Sequence, residues 1–401
     1  MLDALVLGGG IAGLAAARRL RHAGRSVEVW ESEAQPGGWA RSEPWGDGTL
    51  DLGAQVLFRM PGSALDRLLR DTGLPVETVP PRRWVVSSGV PIEVPSHTGQ
   101  WLRSPLLGPG AKLRVAWGLM KKPGPASAAH LEAAARHRFG RAFARDLLPA
   151  LAAGLFAAPP ARLDGALLPM LMGRAQGGSL VRPLGGMGRL PAALARELPV
   201  RTGLRALDLT QDADGLWTVS GGGVSRRTRR VILALPAPVA ALMLEPHAHA
   251  AAEGLRRIRF LDLRFFHSRH RLPGTLAGGW GLLADPAREG GLLGFTLGPG
   301  PGGGAQLRTS LGGAYAVEAG LSRWPGVQAR LQGWFPALAA AEDFRETRAS
   351  LSLPLPEPGH ATRVRAILDA LPTGISWIGA GRYGGGIPGI LGGVEAEPSL
   401  G

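Results

Sequence analysis

A chain of 401 residues with 45% hydrophobic content has room for two or three domains and a large core, and its 61 glycines and 34 prolines sit in a globular rather than a low-complexity composition. The absence of cysteine excludes disulfides, thiolate metal sites, a cysteine nucleophile and a cysteine-linked flavin. The formal charge of +14, carried by 45 basic residues of which all but three are arginine, favours an anionic small-molecule substrate or an acidic membrane surface; with no nucleic-acid-binding motif present, nucleic acid is not an expected partner.

Ala4 to Leu7 reads as a short buried strand, and Leu14, Ala17 and Leu20 recur at helical spacing. Between them Gly8, Gly10 and Gly13 form G-x-G-x-x-G: one for a tight turn, one for backbone approach to a pyrophosphate, one for packing the helix on the strand. The strand starts within four residues of Met1, which predicts a cytoplasmic protein without a secretory leader. "SVEVWE", Ser26 to Glu31, reads as a second strand, and Glu31 lies 18 residues beyond Gly13, near the spacing of an acid that holds a ribose hydroxyl. Its charge repels a 2′-phosphate, so NADP is disfavoured while NAD and FAD both remain. "QPGGWARS" follows. Gly37 and Gly38 suit a second close approach to a pyrophosphate, with Arg41 as a fork of donors; an ordinary turn with a solvated arginine is the alternative. The longest uncharged runs are broken by glycine and proline, so no membrane span is predicted. The pairs His247/His249 and His267/His270 have no acidic or cysteine ligand set beside them, so no metal site is expected.

The run "GGGIAGLAAARRLRHAG", with "VEVWESEAQPGGWARS" and "LDLGAQV" after it, resembles the N-terminus of the flavin amine oxidase, phytoene desaturase and protoporphyrinogen oxidase superfamily. The resemblance implies noncovalent FAD, with Gly8, Gly10 and Gly13 at the turn, Glu31 on the adenosine ribose, Gly37, Gly38, Trp39 and Arg41 beside the pyrophosphate, and Gly53 close to the flavin. "VRTGLRALDL" and "RRVILALPAPVAALML" resemble two strands returning to the FAD domain, which implies Ala206 near the adenine. "SWIGAGRYGGGIPGILGGVEA" resembles the closing strand, loop and helix, with Gly379 near the pyrophosphate and Ile387 and Pro388 near the flavin; a proline suits a first helical turn. The expected fold is therefore α/β. A discontinuous Rossmann-type FAD-binding domain (1–75, 181–250, 371–401) joins an antiparallel-sheet substrate domain (76–100, 251–370) and a helical insertion (101–180).

Three further segments are similar to the protoporphyrinogen oxidase family: "RRWVVSSGVPIEVPSHTGQWLRSPLL", "HRFGRAFARDLLPALAAGLFAAPPARL" and "GGSLVRPLGGMGRLPAALA". This resemblance implies oxidation of a porphyrinogen to the porphyrin in tetrapyrrole biosynthesis, with oxygen as acceptor and the flavin carrying the chemistry. Protoporphyrinogen and coproporphyrinogen share the reduced macrocycle and differ in carboxylate number. Arg59 falls near a family position that binds substrate, and Gly154 matches a glycine whose carbonyl can face pyrrole N–H groups; a surface arginine and a packing glycine are the alternatives. In that family the helical part can meet a membrane, where Arg103, Lys112, Arg114, Lys121 and Lys122 would help at an anionic surface; a solvated basic face is the other reading. Two tyrosines supply a poor aromatic cage for an amine. Carotenoid-type desaturation, and a flavoprotein that binds or assembles without catalysis, stay open as alternatives.

Overall fold

The computed structural model describes residues 1–400 apart from 81, 96, 122–128, 174–176, 272–275, 277, 301–303 and 385. Ala4–Leu7 (β1) is apolar and buried at all four positions, as a strand covered on both faces must be. The glycine turn leads into Ile11–His22 (α1), then Val27–Trp30 (β2). A hairpin of Ser42–Trp45 (β3) and Gly48–Asp51 (β4) precedes Leu57–Arg59 (β5), Ala64–Thr72 (α2) and Val76–Thr78 (β6). Arg82–Ser87 (β7) and Val90–Glu93 (β8) open onto Thr98–Arg103 (α3), Pro109–Met120 (α4), Leu131–Phe139 (α5), Arg141–Asp146 (α6), Leu148–Phe156 (α7) and Leu168–Gly173 (α8). Ser179–Pro183 (β9), Arg189–Ala195 (α9), Val200–Arg201 (β10), Asp208–Gln211 (β11), Trp217–Gly221 (β12), Val224–Thr228 (β13) and Val231–Leu233 (β14) come next, then Ala237–Leu244 (α10) and His249–Arg256 (α11). Phe260–His270 (β15), Gly279–Leu283 (β16), Leu292–Pro299 (β17) and Ala305–Gly312 (β18) lead to Trp324–Trp334 (α12) and Asp343–Pro354 (β19). His360–Asp369 (α13), Ile375–Trp377 (β20), Ala380–Tyr383 (α14) and Ile387–Ala396 (α15) follow.

Five strands form a wholly parallel sheet in the order β10-β2-β1-β14-β20. The chain builds outward from β1 in one direction and then, much later, in the other. A sheet wound this way leaves a crevice at the carboxyl end of β1, where the winding reverses. The small buried residues Ala12, Ala16 and Ala17 let α1 approach its neighbours, and α1 packs against both α15 and α9.

The second large sheet has seven strands, β19-β15-β18-β17-β16-β7-β8, antiparallel at every pairing except β16 with β7. Strand β18 alternates between its two faces. Leu307 and Leu311 pack with Trp324, Leu331 and Trp334 of α12, each large apolar side chain contributing about 1.5–3 kcal/mol of burial. Gln306, Arg308 and Ser310 stand on the other face, toward the parallel sheet and α7.

One expected element differs. The strand anticipated across Val200 to Leu209 is split: β10 is two residues long, and Asp208–Gln211 belongs to a separate antiparallel sheet with β12 and β13. The break has a local cause. Gly203 takes φ +65°, a left-handed turn no strand interior accommodates, and its N–H is held by the Glu33 carbonyl at 2.9 Å.

Candidate active site

The three motif glycines do three different things. Gly8 takes φ +106°, and a Cβ there would meet the Ala234 carbonyl oxygen at 2.5 Å; a Cβ on Gly13 would meet the Gly8 oxygen at 2.0 Å. Both are needed to close turn, helix and strand on one another. Gly10 is different: its backbone is extended (φ −71°, ψ 177°) and a Cβ would find no atom within 4 Å. It is the N-cap of α1, and no side chain caps that helix, so the first-turn N–H groups and the positive end of the dipole face the open space above Gly10.

Glu31 sits just past the end of β2, buried, and staples this turn. Its Oε2 accepts the Gly9 N–H at 2.7 Å and its Oε1 the Glu33 N–H at 2.9 Å. The second glycine pair lies directly opposite: the Gly37 N–H donates to the Gly9 carbonyl at 2.8 Å, and Gly37 and Gly38 both have positive φ. Arg41 faces outward from this pair, its Nε donating to the Gly38 carbonyl at 3.2 Å and its Nη1 lying 3.5 Å from Glu33 Oε2. Gly53 is obligatory for packing, since a Cβ would meet the Trp39 carbonyl oxygen at 2.1 Å.

These residues form one wall of a cavity of about 370 Å³. Gly10, Gly37, Gly38, Trp39 and Gly53 line it, as do Gly386 and Ile387 at the start of α15, a second helix whose N-terminus carries no side-chain cap. Pro388 occupies the first turn of α15, where its missing N–H costs nothing. Gly379, at φ +123°, sets the start of α14 against Ala12 of α1, and its neighbour Ala380 reaches the cavity. Two helix N-termini and a glycine surface with open space above it suit a bound anion.

The facing wall is the inner face of the seven-stranded sheet with the end of α7. Leu263 and Phe265 of β15, Leu283 of β16, Thr296 of β17 and Leu353 of β19 line it. Gly154, in the last turn of α7, is exposed into the cavity, and it is a glycine for a packing reason as well: a Cβ would meet Leu283 Cδ2 at 2.4 Å. The surface is apolar but for Thr296, Arg308, Ser310 and Ser352.

Two expected site residues stand away from this cavity. Arg59, on β5, donates through Nε to Asp66 Oδ1 at 2.7 Å, and Asp66 also accepts the Gly62 N–H at 2.8 Å. The Gly62 N–H and then the Arg59 guanidinium hold the Asp66 carboxyl below its usual range, and the pair fixes the start of α2. Ala206 is half-buried beside Leu204, whose N–H donates to the Glu31 carbonyl at 2.8 Å, so it borders the Glu31 end of the crevice rather than the cavity. The histidine pairs have local partners: His249 meets Glu245 at 2.8 Å, His267 meets Thr347 at 2.8 Å, and His270 meets Ser268 at 2.9 Å. His247 bonds the Leu209 carbonyl.

Arg308 was not singled out by the sequence. The only signal available was its place in the alternating run "AQLRTSLG", where a polar residue in a strand ordinarily marks the solvent side.

The family of flavin-containing amine oxidoreductases matches residues 11–264. The chain is 26% identical to human protoporphyrinogen oxidase over 346 residues, covering 73% of this chain and 72% of that one. The mitochondrial protoporphyrinogen oxidase of Nicotiana tabacum is 32% identical over 114 residues, 27% of this chain; that match spans 22% of the tobacco protein, and a match to an Arabidopsis thaliana relative spans 29% of its length. In fold, a provisionally named protoporphyrinogen oxidase of Exiguobacterium sp. 255-15 superposes with a TM-score of 0.78 at 17% identity, over 98% of this chain and 96% of that one. Cyclohexylamine oxidase from Brevibacterium oxydans IH-35A gives 0.76 at 18% identity over 100% and 98%. With more than half its length matched by one family, and a crevice at the switch point of its own parallel sheet, this chain belongs to the flavin-containing amine oxidoreductases and is a flavin-dependent oxidoreductase.

Proposed function

We propose that the chain binds FAD noncovalently and oxidises a porphyrinogen to the porphyrin, with oxygen as the final acceptor. The observation that carries the reading is the cavity itself: a glycine wall with two uncapped helix N-termini faces a broad, mostly apolar sheet across about 370 Å³. Gly10 and the α1 N-terminus would hold the diphosphate, Glu31 the ribose end, and Gly53 with the start of α15 the ring system. The missing cysteine removes the thioether route to a covalent flavin. Bound FAD supplies a two-electron acceptor, so three rounds move six electrons and six protons from the porphyrinogen and reduce three O₂ to three H₂O₂. The protein's share is to bind and orient. Phe265, Leu263 and Leu353 offer apolar area to a large flat substrate, and the similarity to human protoporphyrinogen oxidase over 73% of the chain supports the tetrapyrrole.

The test is anaerobic mixing of the yellow protein with protoporphyrinogen and, separately, coproporphyrinogen. Bleaching by either, followed in air by porphyrin fluorescence and peroxide, is the expected result. Bleaching by a phytoene-type precursor alone would assign a desaturase, and purified protein without flavin would assign a non-catalytic role.

Peripheral membrane attachment belongs to the same proposal. Among the described residues no helix is long and apolar enough to cross a membrane. Helix α4 nonetheless exposes Leu113, Trp117 and Met120 at 74%, 55% and 73%, a spacing that puts all three on one face beside Lys112, Arg114 and Lys121. Lys122 lies outside the described residues. Vesicles containing phosphatidylglycerol should sediment the protein and phosphatidylcholine vesicles much less. A Leu113→Ser, Trp117→Ser variant should bind the anionic vesicles at least about tenfold more weakly, each buried apolar side chain being worth about 1.5–3 kcal/mol. Unchanged binding would remove α4 from the attachment surface.

A further inference from the structure

We propose that Arg308 is the anion-binding residue of the cavity, and that it takes a carboxylate of the substrate. The inference rests on the functional reading above only for which molecule carries that carboxylate.

Arg308 lines the cavity from β18, its guanidinium lying over the Phe265 ring with 4.6 Å to the centroid. Its Nε and Nη1 are shielded from water and have no hydrogen-bond partner. Native proteins leave very few buried donors unpaired, and fewer still on a charged group. The two side chains paired with it across the sheet are otherwise engaged. Thr296, directly across on β17, donates its hydroxyl to Gln55; His267, directly across on β15, is tied to Thr347. Asp51 is drawn electrostatically toward Arg308 but lies beyond ion-pair distance, and its carboxylate accepts from the Ser42 hydroxyl and the Met187 N–H. Among the described residues no carboxylate lies within ion-pair distance of Arg308. Arg345, facing His267 from β19, is a further cation, stacked over Trp45.

Burial draws the Arg308 pKa down to about 10, so the group stays charged at neutral pH. A protonated guanidinium with two unspent donor nitrogens, on a low-dielectric wall, is completed by a carboxylate brought in from outside. Arg59, tied through Nε to Asp66, does not line the cavity.

The test uses the flavin-loaded protein and reads ligand binding by perturbation of the flavin absorbance. The probes are 2-naphthoate and its methyl ester, and protoporphyrin and its dimethyl ester. The expected result is that Arg308→Met weakens both acids about tenfold to a hundredfold and leaves both esters unchanged, with Arg308→Lys recovering part. Removing an unpaired buried charge should leave the melting temperature of Arg308→Met no lower than that of wild type; if this variant does not fold, the Arg308→Lys comparison carries the test. Equal losses on acid and ester, no loss on either, or no binding of naphthoate by wild type would each overturn the proposal. So would a shift in flavin reduction potential with carboxylate affinity intact, which would make the cofactor the partner of Arg308. Naphthoate binding that depends on Arg308, with no binding of either porphyrin, would leave the inference standing and remove the tetrapyrrole reading.

Discussion

Gly10→Val is expected to yield a folded, colourless protein. The backbone at Gly10 is extended, a conformation open to any residue, and a Cβ there touches nothing, so the fold has no reason to resist the substitution. The valine methyls would instead fill the space above the first turn of α1, where the diphosphate is expected to accept backbone N–H bonds. Charge-assisted bonds of this kind are worth about 1.5–3 kcal/mol each, and losing two weakens cofactor binding by at least about a hundredfold. The same change at Gly13 should behave in the opposite way, because a Cβ 2.0 Å from the Gly8 oxygen cannot be accommodated by moving a flexible side chain. Flavin absorbance per protein, with a melting curve for each variant, separates the two. Full flavin occupancy in a stably folded Gly10→Val would mean that the open space holds something other than the cofactor's phosphates.

Acid should destabilise the protein well before its ion-paired carboxylates titrate. Burial, reinforced by Arg308 opposite, pushes His267 from 6.5 down to about 3. Between those two pH values the unfolded chain binds a proton that the folded chain refuses. The stability due to neutral His267 is therefore complete above pH 6.5 and is lost as pH falls toward 3, with a slope of up to about 1.4 kcal/mol per pH unit. His270 and His360, also held low by burial, act with the same sign. The carboxylates held low, such as Asp66 and Glu245, contribute only below their ordinary values of 3.8 and 4.5, while Asp51, which burial raises, acts with the opposite sign above 3.8. Across the range from 6.5 to 4.5 His267 alone should cost about 2 kcal/mol. Urea unfolding of wild type and His267→Gln at several pH values in that range isolates it, because every other group cancels in the difference. Parallel stability curves would show that His267 is free to protonate in the folded protein.

Much of the cofactor wall was legible because its logic is local. Gly8, Gly10 and Gly13 sit on one turn, Glu31 ends the next strand, and Pro388 opens its helix within a run of glycines; each role follows from residues a few positions apart. The sheet wall was illegible for the opposite reason. Its strands pair across long separations, β7 with β16 and β15 with β19, and nothing near Arg308 in the chain tells which side of β18 meets water. Arg59 shows the same limit at shorter range. Whether it reaches a pocket or Asp66 depends on the angle at which α2 leaves β5, which the run "FRMPGSALDR" does not specify.

The winding of the parallel sheet also sets an order of events during synthesis. The turn at Gly10 is made long before Ile387, which completes the same cavity wall, and β14 keeps an unpaired edge until Ile375 to Trp377 arrive to cover it. A nascent chain therefore carries half a cradle until Ile387 is made, and a sheet with one open apolar edge from the completion of β14 until β20 arrives. Cofactor capture becomes a late event that selects completed molecules. Because a ligand that binds only the finished fold adds RT ln(1 + [L]/Kd) to its stability, the cellular supply of free cofactor would govern how much of this protein survives proteolysis, independently of how fast the gene is expressed.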